Sequence, residues 1–130
     1  MRKNYAKIFF NFLVIIFLIT GCSGIHIQKY VKPRPGDWTM YGGNCFRTNF
    51  SEKVIVPPLK PVWEYDANAA FSEYSLVVAD SIIFLGNLKG EMHLVGAVSG
   101  KKISKQSFNE AIVGAPVVDA NVIYIPVNNG

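Results

Sequence analysis

Very few side chains in this sequence are spaced to do chemistry, and the best placed is a thiol. Cys22 stands behind Ile19, Thr20 and Gly21, at the end of an apolar run from Ile8 to Ile19 broken only by Asn11. The second cysteine, Cys45, has no spacing that would make a disulfide framework. It is expected as a buried, inert thiol, with a reactive thiol or a bond to another chain as the alternatives. His26 and His93 are far apart and have no ligand-spaced neighbours, so no metal site is expected. Asp80 and Asp119 fall where turns are expected and read as turn residues. No nucleophile–base pair, paired carboxylates or phosphate loop is present. The chain therefore reads as a non-enzyme without a cofactor, and no catalytic residue is assigned.

The elements around Cys22 decide what its sulfur is for. Met1 to Lys7 carries Arg2, Lys3 and Lys7. The 12 residues that follow, Ile8 to Ile19, would span roughly 18 Å as a helix. A bilayer core is about 30 Å thick, so residues 1–21 read as a helical signal peptide rather than a membrane span. The end of this stretch, Ile19-Thr20-Gly21-Cys22, resembles the lipobox of bacterial lipoproteins. The resemblance implies cleavage before Cys22, a diacylglycerol thioether on its sulfur and an amide-linked acyl chain. At about 0.8 kcal/mol per buried CH₂, three such chains make a durable anchor. By the sorting rule of these lipoproteins, Ser23 implies the outer membrane, facing the periplasm. Cleavage also removes three basic side chains; the remaining 10 face 9 acidic ones, for a net charge of +1. No basic face for nucleic acid is expected.

Residues 22–36 read as a tether, with Lys29, Lys32 and Arg34 interleaved with Pro33 and Pro35. A residue before proline is held extended. Asp37 to Phe50, DWTMYGGNCFRTNF, reads as a tight turn at Gly42-Gly43-Asn44 carrying Trp38, Met40, Tyr41 and Phe46. Arg47 is expected to pair with Asp37 or cap a backbone carbonyl, and Trp38 and Arg47 to act as a structural clasp. Val56 to Pro61 is a second linker, because its prolines exclude a central strand. Val62-Trp63-Glu64-Tyr65 alternates and reads as a strand.

The remainder appears twice. Ser75 to Gly90 reads SLVVADSIIFLGNLKG, and Ala115 to Gly130 reads APVVDANVIYIPVNNG, aligned without a gap at an offset of 40. Val77 meets Val117, Val78 meets Val118, Phe84 meets Tyr124, and Gly90 meets Gly130. Each copy reads as a β-hairpin whose turn is three residues, Ala79-Asp80-Ser81 or Asp119-Ala120-Asn121. Strands are expected at Leu76–Ala79, Ile82–Gly86, Glu91–Val95 and Lys102–Phe108, with Ile112–Val118 opening the next unit. Turns are expected at Asn87–Gly90 and Val98–Lys101. A β repeat of about 40 residues is the spacing of a propeller blade. The alternative is a self-contained β-sandwich, since about 100 residues can bury one core.

The order of hairpin, Gly90-closed turn, strand, Ser99-Gly100-Lys101 turn, strand and Gly114-Ala115-Pro116-Val117-Val118 resembles the repeat of the pyrroloquinoline-quinone-type β-propellers. The opening from Asp37 to Asn44, with Arg47 and Thr48, resembles the segment before the first blade in many secreted members. Two departures stand out: Gly96 where the family has Asp before its turn, and Ser104 where it has a Trp that docks between blades. Trp63 matches such a position, in an amino-terminal strand that would close the ring.

The resemblance implies an all-β fold over residues 37–130, an incomplete propeller of about one and a half blades plus the closing strand. The reading is of the front piece of a longer protein. Trp38, Arg47, Trp63, Gly90 and Gly100 are the expected structural or interblade residues. The function implied is a scaffold, anchored by lipid at Cys22 and binding other envelope proteins on the periplasmic side of the outer membrane. The alternatives are a fragment of a pyrroloquinoline-quinone-dependent dehydrogenase and a surface module for glycan or peptide.

Overall fold

The structure, a computed structural model, describes residues 30–128. Residues 1–21, read as a signal peptide ending in the lipobox-like Ile19, Thr20 and Gly21, together with Cys22 and Gly130, lie outside the described residues. The described part is all-β, with strands β1 (Leu76–Ala79), β2 (Ile82–Gly86), β3 (Glu91–Gly96), β4 (Lys102–Ser107), β5 (Val117–Asp119) and β6 (Val122–Tyr124). The first four form one antiparallel sheet in the order β1-β2-β3-β4, and β5 and β6 form a second. β-Branched and aromatic residues dominate β1, β2, β5 and β6 and favour the half-buried pleated surface they make.

The two hairpins share one register. Val77 pairs with Phe84, Val78 with Ile83 and Ala79 with Ile82. Forty residues on, Val117 pairs with Tyr124, Val118 with Ile123 and Asp119 with Val122. The connecting loops are therefore two residues long, not three: Ala79 and Asp119 are paired strand residues, leaving Asp80-Ser81 and Ala120-Asn121 as the turns. Asp80 and Ser81 both lie in the left-handed region, at φ 48° and 64°. Two successive positive φ values give the turn the twist that flanking strands demand, a need that sequence composition alone did not reveal here.

Successive strand residues point to opposite faces of a sheet. One face of the four-stranded sheet carries Val77, Ala79, Ile82, Phe84, Met92 and Leu94, all buried. Against it pack Ile112 and Val118, with Ala115, Ile123, Ile125 and Val127 partly buried around them. The core is thus the gap between the two sheets, which is why two short hairpins can exclude water together.

Val31 belongs to the same core, with 2% of its surface exposed. Its N–H donates to Asn121 Oδ1 at 3.2 Å. So the stretch read as a tether over residues 22–36 is packed onto the fold at least from Val31 on. An apolar residue beside a gap in the core is worth burying whatever its flanking prolines suggest.

Three further boundaries differ from expectation. β3 runs one residue further, to Gly96, and β4 stops at Ser107, leaving Phe108 to turn in against the core. Ile112 makes only an isolated bridge to Val127 before β5 begins. Val62–Tyr65 forms no strand. The segment crosses a face of the sheet, held at Trp63, Tyr65 and Ala70 by contacts with the two turns and with His93. A chain lying across a face has no sheet edge to join, so its alternating pattern yields no ladder.

Candidate functional site

Residues 34–49 build a clasp at the inner end of both hairpins. Val78 N–H donates to the Trp38 carbonyl at 2.7 Å, and Val118 N–H donates to the Thr39 carbonyl at 2.9 Å. One dipeptide thereby ties together two residues that are 40 apart in sequence. Asp37 Oδ2 accepts from Arg34 N–H at 2.9 Å and from Asp80 N–H at 2.8 Å, and Arg34 pairs with Asp80. These contacts hold the left-handed Asp80-Ser81 turn, whose backbone costs about 1–2 kcal/mol per non-glycine residue.

The Trp38 ring lies against Gly43, where an added Cβ would sit 3.0 Å from the indole. Arg47 pairs neither with Asp37 nor with a carbonyl; its guanidinium lies 5.6 Å from the centroid of Tyr41. A cation over an aromatic face is worth about 0.5–1 kcal/mol at an exposed site. Beside Trp38 is a cleft of about 490 Å³, lined among others by Asp37, Asn44, Phe50, Glu52 and Lys53. Cys45, expected to be buried, is exposed. It occupies the tip of the turn that Gly42 and Gly43 start, and a tip points away from the core.

The structure brings Trp63 and Gly100 together. The indole N–H donates to the Ala97 carbonyl at 3.0 Å, and a Cβ on Gly100 would come within 2.6 Å of the ring. Trp63 therefore sits on the β3–β4 turn of the first sheet. Gly90 has a different task, closing the β2–β3 turn at φ 80°, where a Cβ would meet the Phe108 carbonyl oxygen at 2.7 Å.

Sequence reasoning missed a polar cluster on the outer face of β3. His93 is 4% exposed, and Tyr65 Oη lies 2.8 Å from its Nδ1. Its Nε2 lies 3.2 Å from Glu91 Oε2, which also accepts from Asn87 Nδ2 at 3.0 Å. Lys105 Nζ donates to Glu91 Oε1 at 2.6 Å. The Glu91 carboxylate can only accept, so the His93 nitrogen that faces it, Nε2, donates, while the Tyr65 hydroxyl can meet Nδ1 as donor or acceptor. The Lys105 ammonium, then Asn87 and His93, hold the Glu91 carboxyl at about 2, below its usual 4.5. Partial burial pushes the Tyr65 phenol up. The cluster is closed on itself and ties the crossing segment to β3. Its sequence signal was the Glu91/His93 spacing of two, which puts both on one face of a strand; Tyr65 and Lys105 come from elsewhere.

Between the clasp and Trp63 runs an extended strap, residues 50–62. Among the described residues its backbone joins no backbone–backbone hydrogen bond. Val54, Ile55, Val56, Leu59 and Val62 are all exposed, Val54 at 86%. Pro57, Pro58 and Pro61 explain part of this, since they have no N–H to give a ladder. Apolar side chains displayed together on a strap held at both its ends suit contact with another macromolecule.

Comparison with protein families, with curated proteins and with solved structures finds no match for this chain.

Proposed function

We propose that this chain is a non-enzymatic scaffold of β-propeller type, lipid-anchored at Cys22, that binds other envelope proteins on the periplasmic side of the outer membrane. The observation that carries the reading is the pair of hairpins in one register, 40 residues apart and stacked face to face. Stacked units of about 40 residues are how propeller blades bury their faces. The anchor rests on the sequence from Met1 to Cys22. The strap supplies the binding surface, with Ile55 and Leu59 as its apolar contacts.

Two measurements test it. Radiolabelled fatty acid should enter the wild-type protein and not the Cys22→Ala variant, which should leave the membrane fraction; unchanged labelling of the variant removes the anchor. A photo-reactive side chain at Ile55 or Leu59 should cross-link an envelope protein in cells, and the same group at Lys102 on β4 should not. Equal cross-linking at all three positions would remove the strap as a binding surface.

A second reading is favoured by the Trp38 cleft. An aromatic wall with Asn44, Glu52 and Lys53 nearby suits a glycan or a peptide, whose apolar faces stack on rings and whose polar groups reach the rim. Quenching of Trp38 emission by a soluble cell-wall oligosaccharide, lost in Trp38→Phe, would favour that reading.

A further inference from the structure

Val31 fixes where the amino-terminal segment leaves the fold. It is buried in the core, and its N–H is held by Asn121 in the turn between β5 and β6. Three residues on, Arg34 pairs with Asp80 in the turn between β1 and β2. The segment from Val31 to Asp37 therefore runs along the end of the fold where both hairpins turn. The β3–β4 turn is at the same end, because the Ala97 N–H donates to the Ser81 carbonyl at 2.9 Å. The β2–β3 turn, Asn87–Gly90, lies at the opposite end. The six residues of β3 separate the two ends by about 20 Å.

These positions bear on the anchor. Cys22 precedes Val31 by nine residues, and nine residues reach about 30–32 Å at full extension. A flexible chain of that length has a root-mean-square span of about 15–18 Å. A fold of about 100 residues is itself roughly 34 Å across, from a radius of gyration of about 13 Å. The link is thus no longer than the fold is wide, and it pulls the end with the three turns towards the bilayer. That holds whatever else covers the fold, because the link has to leave beside Val31.

Charge is distributed to match. The net charge after cleavage is only +1, but it is unevenly placed. Lys32, Lys101 and Lys102 are exposed at the turn end, with Tyr30 and Val98 exposed beside them. Arg34 cancels Asp80 there, and Asp37 accepts two backbone N–H groups. Asp119 and Glu64 are exposed beside the second hairpin's turn and Trp63, and they oppose the attraction. Glu91 and Glu110 lie at the far end, against the Asn87–Gly90 turn.

We infer that the anchor seats this end of the fold on an anionic phospholipid surface, with Lys32, Lys101 and Lys102 against its phosphates and Tyr30 and Val98 at headgroup depth. Seating of this kind rests on the lipid at Cys22 proposed above. A tyrosine suits the headgroup level because its ring is apolar and its hydroxyl is wet. Each lysine near such a surface is worth about a fivefold gain in partition, screened beyond about 8 Å at physiological salt. A short tether holds the lysines at roughly millimolar effective concentration beside the surface, so contacts too weak to bind alone suffice.

The test uses the full chain, processed in cells, purified with its anchor and reconstituted into vesicles of phosphatidylcholine mixed with phosphatidylglycerol. A photo-reactive side chain replaces Val98 or, at the far end, Leu88, both exposed, and phospholipid adducts are read by mass. Val98 should capture phospholipid several times more often than Leu88. The Val98 yield should fall by about fivefold or more when Lys101→Glu and Lys102→Glu are combined, with unchanged circular dichroism. It should fall likewise in vesicles of phosphatidylcholine alone, a comparison that needs no variant of the lysines. Equal capture at the two positions, or more at Leu88, overturns the seating. A Val98 yield indifferent to charge removes the lysines from the contact. Fatty-acid labelling separates the failures: a labelled protein with equal capture loses the seating and keeps the anchor, and an unlabelled protein loses both.

Discussion

Truncating Phe84 and Tyr124 separately to alanine measures the asymmetry on which the fold rests. The two are equivalent in sequence, 40 residues apart, and each pairs with a valine across its hairpin, Val77 or Val117. Phe84 lies fully buried between the sheets, in the core cluster with Val77, Met92, Leu94 and Ile112. Removing a buried phenylalanine ring costs about 3–5 kcal/mol, the lost transfer energy plus the cavity. Tyr124 is largely exposed, so its truncation forfeits mainly one cross-strand pair, about 0.2–1 kcal/mol. Total stability for a domain of this size is about 5–15 kcal/mol, so a loss of about 3–5 kcal/mol in Phe84→Ala removes about a fifth of it at the least. Urea unfolding of the full chain in neutral detergent, followed by Trp38 and Trp63 emission, should show a midpoint lower by roughly 1–3 M for Phe84→Ala. The midpoint for Tyr124→Ala should move by less than half as much. Equal shifts for the two variants would refute the stacking of the second hairpin on the first.

Other consequences follow from single residues. Gly90→Ala combines a left-handed backbone with a collision against the Phe108 and Glu110 carbonyl oxygens, and should cost about 2–4 kcal/mol by the same unfolding assay; a loss below 1 kcal/mol would mean that the turn is not built this way. Glu91 is held below its ordinary value, so its contribution to stability is complete above the ordinary carboxylate range and is lost as pH falls from there towards about 2. The urea midpoint of wild type should therefore exceed that of Glu91→Gln near about pH 6, and the gap should shrink by about pH 3; a gap that widens on acidification contradicts the cluster. Cys45 is exposed and should be alkylated by a maleimide without denaturant, read by mass on the peptide that contains it; protection until urea is added would place it inside. Gly100→Ala should lift Trp63 off the β3–β4 turn and shift its emission to the red, and an unchanged spectrum would count against that contact.

Much of the strand content was legible in the sequence. Runs such as Leu76–Ala79 and Ile82–Gly86 are apolar and β-branched, and they stop where Asp80-Ser81 or Asn87–Gly90 turn the chain. Turn length was not legible, because Asp80-Ser81 reaches its paired left-handed conformation only with Asp37 and Arg34 holding it. The segment Val62–Tyr65 has a strand's alternation, yet it crosses a face, since side-chain contacts at Trp63 and Tyr65 outweigh a ladder it has no edge to make. Val31 sits among lysines and prolines and reads as linker; a gap in the core made it a packed residue. The cluster around His93 joins residues up to 40 positions apart, from Tyr65 to Lys105, and no local pattern marks such a meeting.

The sequence by itself determined where most of the strands lie, because that choice is settled by φ preferences and branching within a few residues. It also determined that the pattern occurs twice in one register. Burial was decided by the tertiary structure. Phe84 and Tyr124 occupy the same place in the same hairpin, and one is core while the other faces water. The difference lies outside both residues, in whether another sheet has been laid over them.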